Sequence, residues 1–358
     1  MSKIESVTCE RLSTPLHTPF VTALRRATTT DTVVVRITDS DGVTGWGEAP
    51  QVWQVTGESL AGAEACVMGP LTAVLAGTDT DDLVALSRRV ASAVAANFGA
   101  KAAVDVALHD LAARRRGVSL PVFLGSTTHR VPTDVTLAAG EPVDLARAAS
   151  ARVADGFSVL KMKVGTDAAS DVARVRAARE AVGPGVGIRL DANQGWTARE
   201  AVRVITALED AGLDVELVEQ PVRADDLDGL AWVTARVATP VMADESVYGV
   251  RDLVEVIRRR AADMVNIKLA KCGGISTARA LLELAAAHQM GTIVGSMMES
   301  QIGVGAAASV VAAYGSSVTA DLDAAWWAGS SPLVGGMTYD GPVVVLPEDP
   351  GLGIEALA

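Results

Sequence analysis

Apolar and polar positions alternate along the start of the chain, most cleanly over Thr32 to Thr38 and Val43 to Glu48, which flank the turn signal Asp39-Ser40-Asp41-Gly42. A period of two on either side of such a tetrapeptide predicts antiparallel strands, here a β-meander. From Gly57 to Gly117 the pattern changes to long Ala-rich stretches at helical spacing, and Ala102, Val106 and Leu111 share an apolar stripe before Gly117 ends the run. The first third reads as an α+β domain.

After Pro132 short β-rich runs such as Ser158-Val159-Leu160-Lys161 alternate with Ala- and Arg-rich helical stretches, the pattern of repeated βα units. Polar residues interrupt the ends of the strand candidates at Thr136, Lys163, Asp191, Glu219, Asp244, Lys268, Ser296 and Asp321, at successive separations of 27, 28, 28, 25, 24, 28 and 25 residues. One strand and one helix per step predicts eight parallel strands closed into a (β/α) barrel. No Gly-rich nucleotide fingerprint follows any of them, which disfavours a doubly wound dinucleotide fold. The tail from Trp326 is rich in Gly and Pro, holds one strand candidate, Val343 to Leu346, and is expected to return to the first domain. The expected division is a cap over 1–125, a catalytic barrel over 126–325 and a returning tail over 326–358.

Composition narrows the partners. A hydrophobic content of 49% over 358 residues supplies a large core. The formal net charge of −12 argues against a phosphate-backbone partner, so a small molecule is expected and a nucleic acid is not. Cys9, Cys66 and Cys272 are odd in number and far apart, which suits reduced thiols better than a disulfide framework or a zinc site. No signal-peptide core and no run of membrane-spanning length is found, so a cytoplasmic protein without a membrane partner is expected.

In a barrel, residues at the C-terminal strand ends converge on one cavity whatever their separation in sequence. Asp191, Glu219 and Asp244 end three consecutive strand candidates. Three carboxylates gathered in one place repel unless a cation neutralises them, and an all-oxygen set favours Mg²⁺ over zinc. Lys161 and Lys163, two apart, point to the same side of one strand, while Lys268 ends a strand across the ring. A lysine beside a metal and a second ammonium is expected to have a lowered pKa, as a general base working near neutral pH needs; the bland alternative is that Lys161 and Lys163 only balance the acids. A metal on a carboxylate and a base on either face of the adjacent carbon describe one reaction: an enediolate forms as one lysine removes the α-proton, and the other returns a proton from the opposite face, inverting the centre.

These residues resemble the enolase superfamily, in its muconate-lactonizing subgroup. The motifs that carry the likeness are Lys161-Met162-Lys163, Asp191-Ala192-Asn193, Val218-Glu219-Gln220-Pro221, Ala243-Asp244-Glu245-Ser246 and Asn266-Ile267-Lys268. The resemblance implies a modified (β/α)7β barrel of TIM type under an α+β capping domain. It also implies one Mg²⁺ on Asp191, Glu219 and Asp244, with Lys163 and Lys268 as paired bases and Lys161 assisting electrostatically. Family habit implies a homo-oligomer. Sugar-acid dehydratases and mandelate-racemase-like enzymes use a strand-end histidine, and none of His17, His109, His129 or His288 occupies such a position.

Within the subgroup, Asp321-Leu322-Asp323 presents two acids one residue apart, a natural receptor for an ammonium group. In this the chain resembles the dipeptide epimerases, where an acidic pair holds the substrate's N-terminal ammonium. The alternatives are an N-succinylamino acid racemase or o-succinylbenzoate synthase, whose acidic acyl group the doublet should repel, and a muconate-type cycloisomerase. A barrel that has lost catalysis, or a Schiff-base lyase, is disfavoured by the intact acid and lysine set. Thr22-Ala23-Leu24-Arg25, within flexible cap loops expected around Pro15 to Arg26 and Ala49 to Thr56, resembles the loop of Ala-Glu epimerases. This implies that Arg25 meets a side-chain carboxylate, favouring L-Ala-D/L-Glu; a solvated arginine is the competing reading. Thr136, Ser296 and Met298 sit where substrate contacts are expected. Lys271 reads as a solvated loop charge. Trp326-Trp327 either narrows the pocket or staples the tail to the cap.

Overall fold

The alternation of the first third becomes three antiparallel strands, β1 (Ile4–Val21), β2 (Arg26–Asp39) and β3 (Thr44–Pro50). The structure is a computed structural model that describes residues 2–21, 26–138 and 140–358. Two glycines decide how the cap is assembled. A Cβ on Gly45 or Gly47 would overlap the carbonyl oxygens of Ala107 and Ala103, so β3 lies directly on the backbone of the Phe98–Arg115 helix. That helix is buried from Gly99 through Ala113. The single stripe read from Ala102, Val106 and Leu111 is therefore too narrow, because the cap strands cover one side and barrel helices another. The stretch from Pro15, expected as a flexible loop, continues β1 as far as Val21, with an irregular register between Pro15 and Phe20.

The barrel follows β4 (Arg130–Pro132). Its parallel strands are β5 (Val135–Leu137), β6 (Val159–Lys163), β7 (Gly187–Asp191), β8 (Val215–Glu219), β9 (Val241–Ala243), β10 (Met264–Lys268) and β11 (Gly291–Gly295), hydrogen-bonded in that order. The eighth strand expected from the spacing is reduced to a pair of bridging residues. Ala320 pairs with Thr133 and Asp321 with Gly295, both parallel, and these bridges close the ring between β11 and β5. Period-two alternation puts Leu217, Met242 and Ile293 on the inner face beneath Glu219, Asp244 and Gly295, and with Met264 they form a small apolar cluster there. The layer above is polar.

The tail holds four short strands where one was expected: β12 (Leu333–Gly335), β13 (Thr338–Asp340), β14 (Val343–Val345) and β15 (Ile354–Leu357). β13 and β14 form a sheet with β4, and β12 pairs with β15. The tail also reaches the cap, where the Leu352 N–H donates to Asp110 Oδ1 at 2.6 Å and the Gly351 N–H to the Val118 carbonyl at 2.9 Å. Cys9, Cys66 and Cys272 are free thiols. Among the described residues no helix is long and apolar enough to cross a membrane.

Candidate active site

Lys163, Asp191, Glu219 and Lys268 are the last residues of β6, β7, β8 and β10, while Asp244 and Ser296 follow β9 and β11 by one residue. Thr136 sits in the middle of β5, and Asp321 is one of the closing residues. A cavity of about 60 Å³ opens among them. Lys161, Lys163, Asp244, Lys268, Asp321 and Asp323 line it, with Thr136, Ser296 and Met298 beside them. Phe20 and Val55 reach in from the cap. Asp191 and Glu219 lie just behind the lining, at the ammonium groups of Lys161 and Lys163.

The charges interlock. Lys161 Nζ lies 2.6 Å from Glu219 Oε2, 2.7 Å from Asp321 Oδ2 and 3.2 Å from Asp191 Oδ2. Lys163 Nζ donates to Asp191 Oδ2 at 2.6 Å and Lys268 Nζ to Asp244 Oδ2 at 2.8 Å. β6 and β10 stand on opposite sides of the closed ring, so Lys163 and Lys268 approach the cavity from opposite directions. Among the protein groups themselves, the neighbouring carboxylates decide the lysine charges. Burial pushes Lys268 down, but Asp244 outweighs it and holds the ammonium above its ordinary range. Lys161 is likewise raised, burial being overcome by Asp321, Glu219 and Asp191. On the acid side burial raises Asp191, but Lys163, Lys161 and Lys268 bring it down to about 2. Glu219 is pushed up to about 7 by burial and by Asp191.

Lys271 is a correction. The one-turn helix Leu269–Cys272 turns it inward, fully buried, with Nζ 2.5 Å from Asp244 Oδ1 and hydrogen-bonded to the carbonyls of Asp244, Val247 and Asn266. Other residues without a role in the sequence reading complete the site. Gln220 Oε1 accepts from the N–H of Asp244 at 2.8 Å, tying the loop after β8 to the start of the loop after β9. Asn266 Nδ2 donates to Glu219 Oε1 at 2.8 Å, and the Asn193 N–H to Asp191 Oδ1 at 2.9 Å. Arg189, two residues before Asp191, pairs with buried Asp134 at 3.0 Å. Its inward direction was legible from the same period that places Lys161 beneath Lys163.

Among the described residues, no three acid, histidine or cysteine side chains already form a metal cage. Each carboxylate of the Asp191, Glu219 and Asp244 trio is engaged by a lysine. The site nevertheless fits a cation. The acids Asp191, Glu219, Asp244, Asp321 and Asp323 outnumber Lys161, Lys163, Lys268 and Lys271. Glu245, which also lines the cavity, is pushed up to about 8 by burial, then by Asp244 and Asp191. Glu245 Oε2 and Asn193 Oδ1 are buried there without a hydrogen-bond partner. An excess of hard oxygen donors in a dry place is what a divalent cation such as Mg²⁺ satisfies.

At the closing residues, Asp323 Oδ2 accepts from the Thr136 N–H at 2.7 Å and from the Trp327 indole N–H at 3.0 Å. Trp327 stacks on His17, their ring centroids 5.3 Å apart, and Trp326 lies under the Arg152 guanidinium at 4.7 Å. The tryptophan pair thus links tail, cap and barrel. None of the four histidines lines the cavity. Arg25 and the rest of Thr22-Ala23-Leu24-Arg25 lie outside the described residues.

Fold and site together define a capped barrel with a ring of buried acids and lysines at the C-terminal strand ends. The chain belongs to the mandelate racemase/muconate lactonizing enzyme family: residues 4–125 match the model of that family's N-terminal domain, and residues 144–357 match the enolase C-terminal domain-like model. It is 42% identical to the L-Ala-D/L-Glu epimerase of Bacillus subtilis over 98% of this chain and 96% of that one. The substrate-liganded structure of that epimerase superposes with a TM-score of 0.96, covering 99% of both chains. A dipeptide epimerase of Enterococcus faecalis, solved with Mg and L-Leu-L-Tyr, is 37% identical with a TM-score of 0.95, over 99% of this chain and 100% of that one. An N-succinyl Arg/Lys racemase of Bacillus cereus is 31% identical with a TM-score of 0.94, over 99% and 95%.

Proposed function

We propose that this protein is a Mg²⁺-dependent dipeptide epimerase that inverts the α-carbon of the C-terminal residue. The observation that carries the reading is that Asp321 and Asp323 line the same cavity as Lys163 and Lys268. One small chamber thereby offers an anionic seat for an N-terminal ammonium and two bases for an α-proton. In this reading Asp191, Glu219 and Asp244 hold the ion, which when bound supplies stabilisation of the charge that develops on the substrate carboxylate. Lys163 removes the proton from one face of the α-carbon, and Lys268 delivers one to the other. Lys161, held between Asp191, Glu219 and Asp321, keeps a positive charge at the floor. Phe20 and Val55, brought down by the cap, exclude water from above.

The related epimerases support dipeptides as the substrate class, and the Bacillus subtilis relative supports L-Ala-D/L-Glu in particular. Arg25 is the residue proposed to meet the glutamate side chain; R25A should then lose its preference for Glu over Leu at the second position. The division into cap (1–125), barrel (126–325) and tail (326–358), a cytoplasmic location and a homo-oligomeric state belong to the same reading.

The test is chromatographic separation of diastereomers after incubation with L-Ala-L-Glu and a small dipeptide panel. Conversion that is lost with EDTA and restored by Mg²⁺ is expected. Conversion of N-succinyl amino acids without any dipeptide would replace the reading with that of a succinylamino acid racemase, the function carried by the Bacillus cereus relative.

A further inference from the structure

The carbon that carries a dipeptide's N-terminal ammonium also carries the first residue's side chain. An ammonium seated on Asp321 and Asp323 therefore places that side chain against the wall flanking those acids. The wall contains Thr136, which lines the inner cavity, and Trp327, whose indole N–H is bonded to Asp323. On the far side lies a second cavity of about 400 Å³, lined by Thr136 and Trp327 together with Thr18, Leu137, Leu145 and Ala148. Its surface is chiefly apolar. Arg152, at its edge, is engaged by Asp155 at 3.0 Å and by the face of Trp326.

Trp327 is held as a fixed partition. It is buried, bonded to Asp323 at 3.0 Å, stacked on His17 and packed edge-on against Phe20 at 5.8 Å between centroids. With this wall in place, a first side chain directed past Thr136 meets the Trp327 indole. Removal of the indole would open the apolar space behind Thr136 toward the seat at Asp323.

Resting on the dipeptide reading above, we propose that Trp327 is the residue that restricts the substrate's first position to a small side chain, and that the cavity behind it is a latent subsite for a large apolar one. Trp327 acts in two separable ways: its N–H orients Asp323, and its bulk closes the subsite.

The experiment compares wild type, W327F and W327A, each with Mg²⁺, on L-Ala-L-Glu, L-Leu-L-Glu and L-Phe-L-Glu, reading kcat/KM and far-UV circular dichroism. W327F keeps the bulk and loses the donor, so KM should rise for all three substrates with the wild-type ranking retained. W327A should move the ratio of L-Phe-L-Glu to L-Ala-L-Glu by at least about tenfold toward the larger residue relative to W327F, the order of a filled apolar pocket. The same ranking in W327A as in W327F would overturn the proposal. If W327A fails to fold, W327L takes its place and should shift the ratio in the same direction. Turnover of none of the dipeptides by wild type sinks the underlying reading and this proposal with it, whereas wild-type turnover with an unmoved ranking sinks the proposal alone.

Discussion

Lys271 Nζ lies 2.5 Å from Asp244 Oδ1 while Lys268 Nζ lies 2.8 Å from Oδ2 of the same carboxylate. Asp244 is therefore clamped by two ammonium groups with different surroundings. Lys268 lines the cavity, whereas Lys271 is fully buried and spends its remaining protons on backbone carbonyls. K268M should lower turnover by about 10²–10⁴-fold. K271M should instead leave buried backbone carbonyls and one Asp244 oxygen without a donor and lower stability by about 1–3 kcal/mol. Urea denaturation of the two variants, beside turnover, separates the roles.

A second buried pair sets a pH limit. Glu48, on β3 of the cap, accepts from the N–H groups of Ser300 at 2.9 Å and Gly303 at 2.6 Å, and Glu299 accepts from the Met297 N–H at 2.9 Å. Burial and then the neighbouring Glu48 push Glu299 up to about 8 from its ordinary value of 4.5. A carboxyl whose folded pKa is raised binds more protons folded than unfolded between those two values. Its contribution is complete below pH 4.5 and is lost as pH rises through about 8. Thermal unfolding should show Tm falling as pH rises from 4.5 to about 8, with a shallower fall in E299Q. An identical slope in E299Q would contradict this account.

At Asp323 one oxygen is already committed to the Thr136 and Trp327 donors. D323N keeps an oxygen for those donors and presents an amide where an ammonium would bind. It should retain the wild-type Tm within a few degrees, raise KM for dipeptides by one to two orders of magnitude, and improve the relative use of N-succinyl amino acids. Steady-state kinetics on both substrate classes reads the change directly.

The cap offers a purely steric test. Because a Cβ on Gly47 would overlap the Ala103 carbonyl, G47A must push the Phe98–Arg115 helix away from β3. A loss of about 1–3 kcal/mol is expected from calorimetry or urea denaturation. G42A supplies the contrast: its Cβ meets open space, and its cost comes from a positive φ of 81° alone.

Much of this site was legible because a barrel turns sequence period into convergence. The polar residues at Lys163, Asp191, Glu219, Asp244 and Lys268 recur once per βα unit, and closure of the ring brings them together. The same logic overstated the eighth strand, since Asp321 keeps the spacing with bridging pairs alone. β12, β13 and β15 are three or four residues long and find their partners in the tail itself, so no alternation announces them. Lys271 misled because a lysine three residues beyond a strand end resembles a loop charge until the one-turn helix rotates it inward. The Glu48 and Glu299 pair joins residues 251 positions apart and has no local signature.

The central claim is proton transfer at the α-carbon of a dipeptide's C-terminal residue. Its most direct test is incubation of the wild-type protein with Mg²⁺ and L-Ala-L-Glu in D₂O, followed by NMR and mass spectrometry. The account predicts deuterium at the glutamyl α-carbon of both diastereomers and none at the alanyl α-carbon, with incorporation abolished by EDTA. Absence of exchange in dipeptides, with exchange in N-succinyl amino acids under the same conditions, would contradict it.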